Sequence, residues 1–408
     1  MRIGLLQGMI LVVCICALMT GCVGRAGVSE PISEASGPFD VTPDEAATPS
    51  PFPSPTPVMT EEPATPLPEP TFTPAPTATP GPPPRIVGSY PIHGDEAVSP
   101  DHALVIEFDM PMDPGSTEAA LSISPTVPGE VRWASDKRLT FVPDGGWPAN
   151  EGGYEVVLSV AAHSAQGTPL SEPFSLHFDL GGRGMPIPVL MYHRISVLPD
   201  DATALQRTWT VSPDAFAEQM RYLAREGWHS IFPAQIDAYF AQGEPLPIRP
   251  VVISMDDGYR DVYTTARPIF IETDLRPVLF VIPEYAGGGY AAYLDWPMLQ
   301  ELVADGFGIG AHSWDHSDLR TVADSGLPRQ IVESRAVLEE HLGITVDAFC
   351  YPYGSFDERV LQALADAGYT TAFTLNPGAY QPPASPYLLN RLLVTYETTL
   401  AEFADLLP

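Results

Sequence analysis

The sequence predicts a multidomain protein in which an α/β barrel follows an all-β sandwich. Two patterns predict it. From residue 186 onward apolar runs of strand length alternate with helical stretches, and between 85 and 181 short period-two runs are cut by Gly and Pro turns. A third observation sets both apart from what precedes them: the prolines are densest between about residues 42 and 84.

In the C-terminal part, strands are expected at 189–192, 251–255, 278–282, 307–311, 349–351, 371–375 and 392–395. A helix is expected over 213–226, where Ser212 caps, Pro213 fits the first turn, Phe216, Met220 and Leu223 share one face, and Gly227 stops it. Another runs from Pro297, with Leu299, Leu302 and Val303 together, to Gly306. Repeated β-α units of this number imply a parallel sheet closed into a barrel.

The sandwich rests on Leu104-Val105-Ile106-Glu107-Phe108, Leu139-Thr140-Phe141 and Tyr154-Glu155-Val156-Val157-Leu158. Phe108-Asp109-Met110-Pro111-Met112-Asp113, with Phe141-Val142-Pro143 and Tyr154 downstream, resembles bacterial Ig-like modules. It offers no titratable cluster, so 85–181 reads as a spacer, with a glycan-contact module as the alternative.

Residues 1–21 carry Arg2, an apolar run over 9–19 and small residues before Cys22, the layout of a secretory signal. Leu18-Met19-Thr20-Gly21-Cys22 resembles a bacterial lipobox, with Met19 in place of the usual aliphatic residue. Cleavage there leaves Cys22 to carry lipid, so an exported chain anchored to the membrane, facing the extracellular or cell-wall side, is expected. Residues 22–84, rich in Pro, Thr, Ser and Glu, read as an extended disordered tether. Cys14 and Cys16 leave with the signal and Cys350 remains alone, so no internal disulfide forms. A formal charge of -31, from 51 Asp and Glu against 20 Lys and Arg, excludes a nucleic-acid partner.

Four motifs end the barrel strands. Ser254-Met255-Asp256-Asp257-Gly258-Tyr259 puts two carboxylates at a strand end, with a glycine to turn the chain. Gly310-Ala311-His312-Ser313-Trp314-Asp315-His316 puts two histidines at i and i+4; with an Asp from another strand they make a three-ligand site with an open position, the layout of catalytic zinc. Phe349-Cys350-Tyr351-Pro352-Tyr353-Gly354 runs a strand into a turn able to expose a backbone N–H. Leu190-Met191-Tyr192-His193 ends the first strand. His193, Asp256, Asp257, His312 and Tyr353 therefore gather on the C-terminal rim, where barrels place chemistry. Gly287-Gly288-Gly289, between Tyr285 and Tyr290, reads as a flexible loop, with a mobile rim offering aromatic faces to a sugar as the alternative.

On these motifs residues 186–408 resemble the polysaccharide deacetylase (NodB-homology) family, carbohydrate esterase family four. Its Thr-Phe-Asp-Asp-Gly type motif matches 254–258, and its His-Ser/Thr-x-x-His motif matches 312–316. The resemblance implies a distorted (β/α)7 barrel, Asp256 as catalytic base, and a divalent ion on Asp257, His312 and His316. Zinc suits those ligands first, with Co2+ and Ni2+ as alternatives. It also implies the Tyr353 backbone N–H as an oxyanion donor.

The chain departs from the family in two places. Cys350 stands where the Arg-x-Pro-Tyr-Gly form has its arginine, and Arg391 is the candidate to orient Asp256 instead. The late Leu-x-His motif is missing, but Met191-Tyr192-His193 matches the permuted Met-Tyr-His form of exported poly-N-acetylglucosamine deacetylases, which makes His193 the acid. The activity implied is hydrolysis of a carbon–nitrogen amide bond, the N-acetyl group of an extracellular or cell-wall polysaccharide. An O-acetyl esterase on xylan-like glycans and a non-catalytic glycan-binding surface protein stay open as alternatives.

Overall fold

The computed structural model describes residues 81–408; the signal segment, Cys14, Cys16, Cys22 and the tether up to residue 80 lie outside them. Among the described residues no helix is long and apolar enough to cross a membrane.

Seven strands come first: β1 (Ile86–Tyr90), β2 (Leu104–Phe108), β3 (Leu121–Ser124), β4 (Gly129–Ser135), β5 (Arg138–Pro143), β6 (Tyr154–Leu158) and β7 (Phe174–Phe178). β1, β2, β5 and β4 form one antiparallel sheet; β3, β6 and β7 form the other. Period-two alternation turns Leu104, Ile106 and Phe108 inward against Val156, Leu158, Leu176 and Phe178. Trp147 plugs the end of this core, its ring against Tyr154 and Phe178 and its Nε1 donating to the His102 carbonyl at 2.8 Å.

The barrel strands are β8 (Val189–Tyr192), β9 (Pro250–Met255), β10 (Val278–Val281), β11 (Gly308–Ala311), β12 (Ala348–Cys350), β13 (Thr371–Pro377) and β14 (Leu389–Leu393). All pair in parallel in the order β9-β10-β11-β12-β13-β14-β8, and β8 closes on β9 from Val189↔Val252 to Tyr192↔Met255. The ring thins between β11 and β12, which share the one pairing Ala311↔Phe349. This is a parallel seven-stranded barrel, as the sequence implies. The strand expected at 392–395 starts earlier, at Leu389, because Asn390 and Arg391 interrupt its apolar run. Helices run at Pro213–Arg225, where Ser212 caps the Ala215 N–H, and at Trp296–Ala304, where Asp295 caps the Met298 N–H.

Strand parity divides the barrel's side chains. Leu190, Ile253, Leu279, Ile309 and Phe349 pack outward with helical residues such as Phe216 and Leu302. Val189, Val252, Phe280, Ala348 and Phe373 belong instead to the apolar cluster that contains the sandwich core. The barrel's interior floor and the sandwich thus share one hydrophobic core. A two-residue strand, Leu246–Pro247, adds to the edge of β1 through Gly88↔Pro247 and Ser89↔Leu246.

Candidate active site

The parity that fills the barrel floor also sets the rim. Along β9, Val252 and Ser254 point in, so Asp256 does too; β11 leads likewise to His312, β12 to Cys350 and β14 to Arg391. All four are buried. Arg391 Nη1 donates to Asp256 Oδ1 at 2.9 Å and Oδ2 at 2.8 Å, while its Nε donates to the Thr374 carbonyl at 2.8 Å. Ser254 Oγ lies 3.3 Å from the same Nη1 and donates to the Leu190 carbonyl. Burial pushes the Asp256 carboxyl up, but Arg391, with His193 and His312, outweighs it and holds the group below the ordinary carboxylate value. Cys350 Sγ is 3.5 Å from Asp256 Oδ2, and the arginine expected at that position is replaced in space by Arg391, two strands away in the ring. His193 Nε2 lies 3.8 Å from Asp256 Oδ2, its ring 4.5 Å from Trp209.

Asp257, His312 and His316 converge next to this pair, with one ligand atom of each within 4.8 Å of the others. Asp257 Oδ1 is 3.3 Å from His312 Nε2 and 3.4 Å from His316 Nε2, and it is buried without a hydrogen-bond partner. His312 Nδ1 donates to the Cys350 carbonyl at 2.7 Å, a bond that keeps a proton on Nδ1 and turns Nε2 towards Asp257. Two nitrogens and an orphaned carboxylate oxygen facing one point fit a divalent cation. The electrostatics agree. Burial pushes the Asp257 carboxyl up, but the imidazoles of His312, His193 and His316 outweigh it and hold the group well below its usual range. Burial, then the neighbouring His312, pushes His316 down to about 4. Burial opposes the charged form of His312, yet Cys350, Asp257 and Asp256 outweigh it and raise its pKa, an electrostatic pull that a bound cation would satisfy in place of a proton on Nε2. A second group, Asp256, His312 and Cys350, is also close enough to hold an ion. It is the poorer donor set, because both Asp256 oxygens already accept from Arg391 and burial keeps the Cys350 thiol protonated.

Left-handed backbone concentrates here. Of six non-glycine residues with positive φ among those described, Asp257, Ser313, His316 and Tyr353 lie in these turns. Such conformations cost about 1–3 kcal/mol each and persist where surrounding structure enforces them. Gln330 is part of that enforcement: its Oε1 accepts from the Trp314 N–H and its Nε2 donates to Asp315 Oδ2, bracing the turn between the two histidines. Nothing in the sequence marked it. Tyr353, φ 58°, is half-exposed, and its ring stands 4.6 Å from that of His316. The structure therefore brings His193, Asp256, Asp257, His312, His316, Tyr353 and Arg391 to one face; Cys22 lies outside the described residues.

Residues 243–372 match the family model described as polysaccharide deacetylase, and 81–179 that described as bacterial Ig-like domain. YxkH of Bacillus subtilis, provisionally named a polysaccharide deacetylase, is 25% identical over 209 residues, 51% of this chain and 71% of its own. The poly-beta-1,6-N-acetyl-D-glucosamine N-deacetylase of Escherichia coli K12 is 24% identical over 252 residues, 50% of this chain but 37% of its own length. The Streptococcus pyogenes deacetylase PplD, solved in complex with acetate, superposes with a TM-score of 0.51 at 25% identity, covering 54% of this chain and 98% of its own.

Proposed function

This chain carries a polysaccharide deacetylase domain behind a bacterial Ig-like domain, and on that premise we propose that it hydrolyses the N-acetyl groups of an exported N-acetylglucosamine-type glycan. One observation carries the reading: a buried carboxylate locked by Arg391 lies 3.8 Å from a histidine and directly beside a three-ligand cation site. Asp257, His312 and His316 would hold a divalent ion, zinc first among the candidates. A divalent cation there would supply polarisation of the acetyl carbonyl and activation of water. Asp256, kept ionised by Arg391, takes a proton from the attacking water at Oδ2. The water oxygen bonds to the acetyl carbon, the C–N bond breaks, and His193 Nε2 delivers a proton to the departing nitrogen, leaving acetate and a free amine. The backbone N–H of Tyr353 would donate to the oxyanion. On the same reading the chain is exported and tethered through lipid at Cys22. Relatives named for glucosamine polymers support the substrate class.

The test is acetate release from β-1,6-linked N-acetylglucosamine oligomers by the metal-loaded full chain, beside Asp256→Asn and His193→Ala. Each variant is expected to lose on the order of a hundredfold to ten-thousandfold in rate, and chelation to stop release reversibly. Cleavage of acetylated xylan alone would make it an esterase, and a metal-loaded chain inert on every glycan would make it a binding protein.

A further inference from the structure

The loop 285–293 lies beyond the residues that the reaction uses, yet it is fastened to them. The Leu294 N–H donates to the Gly258 carbonyl at 2.9 Å and the Arg260 N–H to the Ala292 carbonyl at 2.9 Å, so this loop runs alongside the turn that presents Asp256 and Asp257. The Glu284 N–H donates to the Trp314 carbonyl at 3.1 Å, tying the other end to the histidine turn. Tyr259, next after Gly258, stacks on Tyr293 at 5.0 Å and 20°, with the Arg194 guanidinium 4.9 Å above its ring. Tyr285 packs 4.5 Å from Tyr293.

On this base stands Tyr290, perpendicular to both neighbours: 5.7 Å and 80° from Tyr285, 6.4 Å and 77° from Tyr293. Its ring rests on Gly288, where a Cβ would overlap the ring and lie 2.7 Å from the Glu284 carbonyl. The glycines that read as a flexible loop therefore include one whose missing side chain makes room for an aromatic ring. Tyr290 is nevertheless 51% exposed, and Tyr353, on the histidine side of the site, is 45% exposed. A braced aromatic ring left half in water, continuous with a catalytic rim, has the chemistry of a carbohydrate-stacking residue: a flat apolar face for the C–H face of a pyranose, with a hydroxyl at its edge.

We infer that Tyr290, seated on Gly288 and braced by Tyr285 and Tyr293, is a platform for a hexosamine ring neighbouring the one whose acetyl group is removed. The inference rests on the glycan-deacetylase reading, and it makes the enzyme one that grips a polymer rather than a single sugar.

Two measurements on the full metal-loaded chain separate this inference from the parent reading. The first is calorimetric binding of a β-1,6-linked N-acetylglucosamine pentamer to the slow Asp256→Asn form, with and without Tyr290→Ala or Tyr290→Phe. Tyr290→Ala is expected to weaken binding about threefold to tenfold, while Tyr290→Phe, which keeps the face, stays within about twofold of the parent. The second is turnover: the ratio of pentamer rate to 4-nitrophenyl acetate rate should fall by the same factor in Tyr290→Ala, and Val160→Ala on the sandwich surface should leave it unchanged. Equal pentamer affinity with and without the Tyr290 ring overturns the platform whatever the turnover. A pentamer that binds through Tyr290 but is never deacetylated overturns the deacetylase reading and keeps the platform.

Discussion

Arg391 meets Asp256 across 135 residues of sequence and supplies the only cation the carboxylate touches through hydrogen bonds among the described residues. A buried carboxylate without such a partner takes up a proton, and on the proposed mechanism a protonated Asp256 could not accept one from water. The planar guanidinium also spans two acceptors, Asp256 and the Thr374 carbonyl, which a lysine ammonium on a shorter stem cannot hold together. Arg391→Met is therefore expected to lower kcat for acetate release on the order of a hundredfold and to cost about 3–5 kcal/mol of stability, since it strands a buried charge. Arg391→Lys should recover most of the stability and only part of the rate. Parallel rate and denaturation measurements check this, and a Met variant with the parent rate would remove Arg391 from the reaction.

At the scale of elements, glycine on β11 decides how closely the histidine-bearing strand packs. A Cβ on Gly310 would overlap the Phe280 ring and lie 3.1 Å from the Ala348 carbonyl, and Phe280 is itself buried against Phe373 at 5.3 Å. Gly310→Ala should therefore cost about 1–3 kcal/mol through overpacking and depress activity by displacing His312, two residues on. Loss of stability with no loss of rate would show that the histidine turn is held by Gln330 rather than by its strand. These strands also explain what the sequence disclosed. Six of the seven were apolar runs long enough to read, and the acids and histidines followed them directly, so the rim was legible from pattern and motif. β14 was cut short because Arg391, a charge in a strand interior, is tolerated there only through Asp256, a partner that local pattern cannot reveal. Gln330 was invisible for the same reason: its role lies in two hydrogen bonds to a turn some fifteen residues earlier.

The sandwich and the barrel share one hydrophobic core. Tyr239, on the helix Pro233–Gln242, donates its hydroxyl to Asp95 Oδ2 at 2.6 Å and accepts from the Ile92 N–H at 3.0 Å, while Arg138 on β5 pairs with Glu244 at 2.9 Å. Asp95 is buried, and burial pushes its carboxyl up against the opposing pull of the Tyr239 hydroxyl and the Ala97 N–H; Glu96, itself paired with Arg183, adds to the rise. Tyr90, its ring tilted against that of Tyr239 at 4.6 Å, stays neutral because burial and Asp95 raise its own pKa. An acid whose folded pKa exceeds its unfolded value binds more protons in the folded state, so its contribution to stability declines as pH rises from the ordinary carboxyl value through the raised one. Tyr239→Phe removes the donor that favours the ionised form and should widen that window. Its cost is accordingly expected to be smaller at pH 4 than at pH 7, rising by about 1–3 kcal/mol as the buried carboxylate ionises without its hydrogen-bond donor. Denaturant unfolding of the full chain at both pH values measures it. A cost independent of pH would mean that the Ile92 N–H, not the Asp95 charge, is what the tyrosine serves at the joint between the two domains.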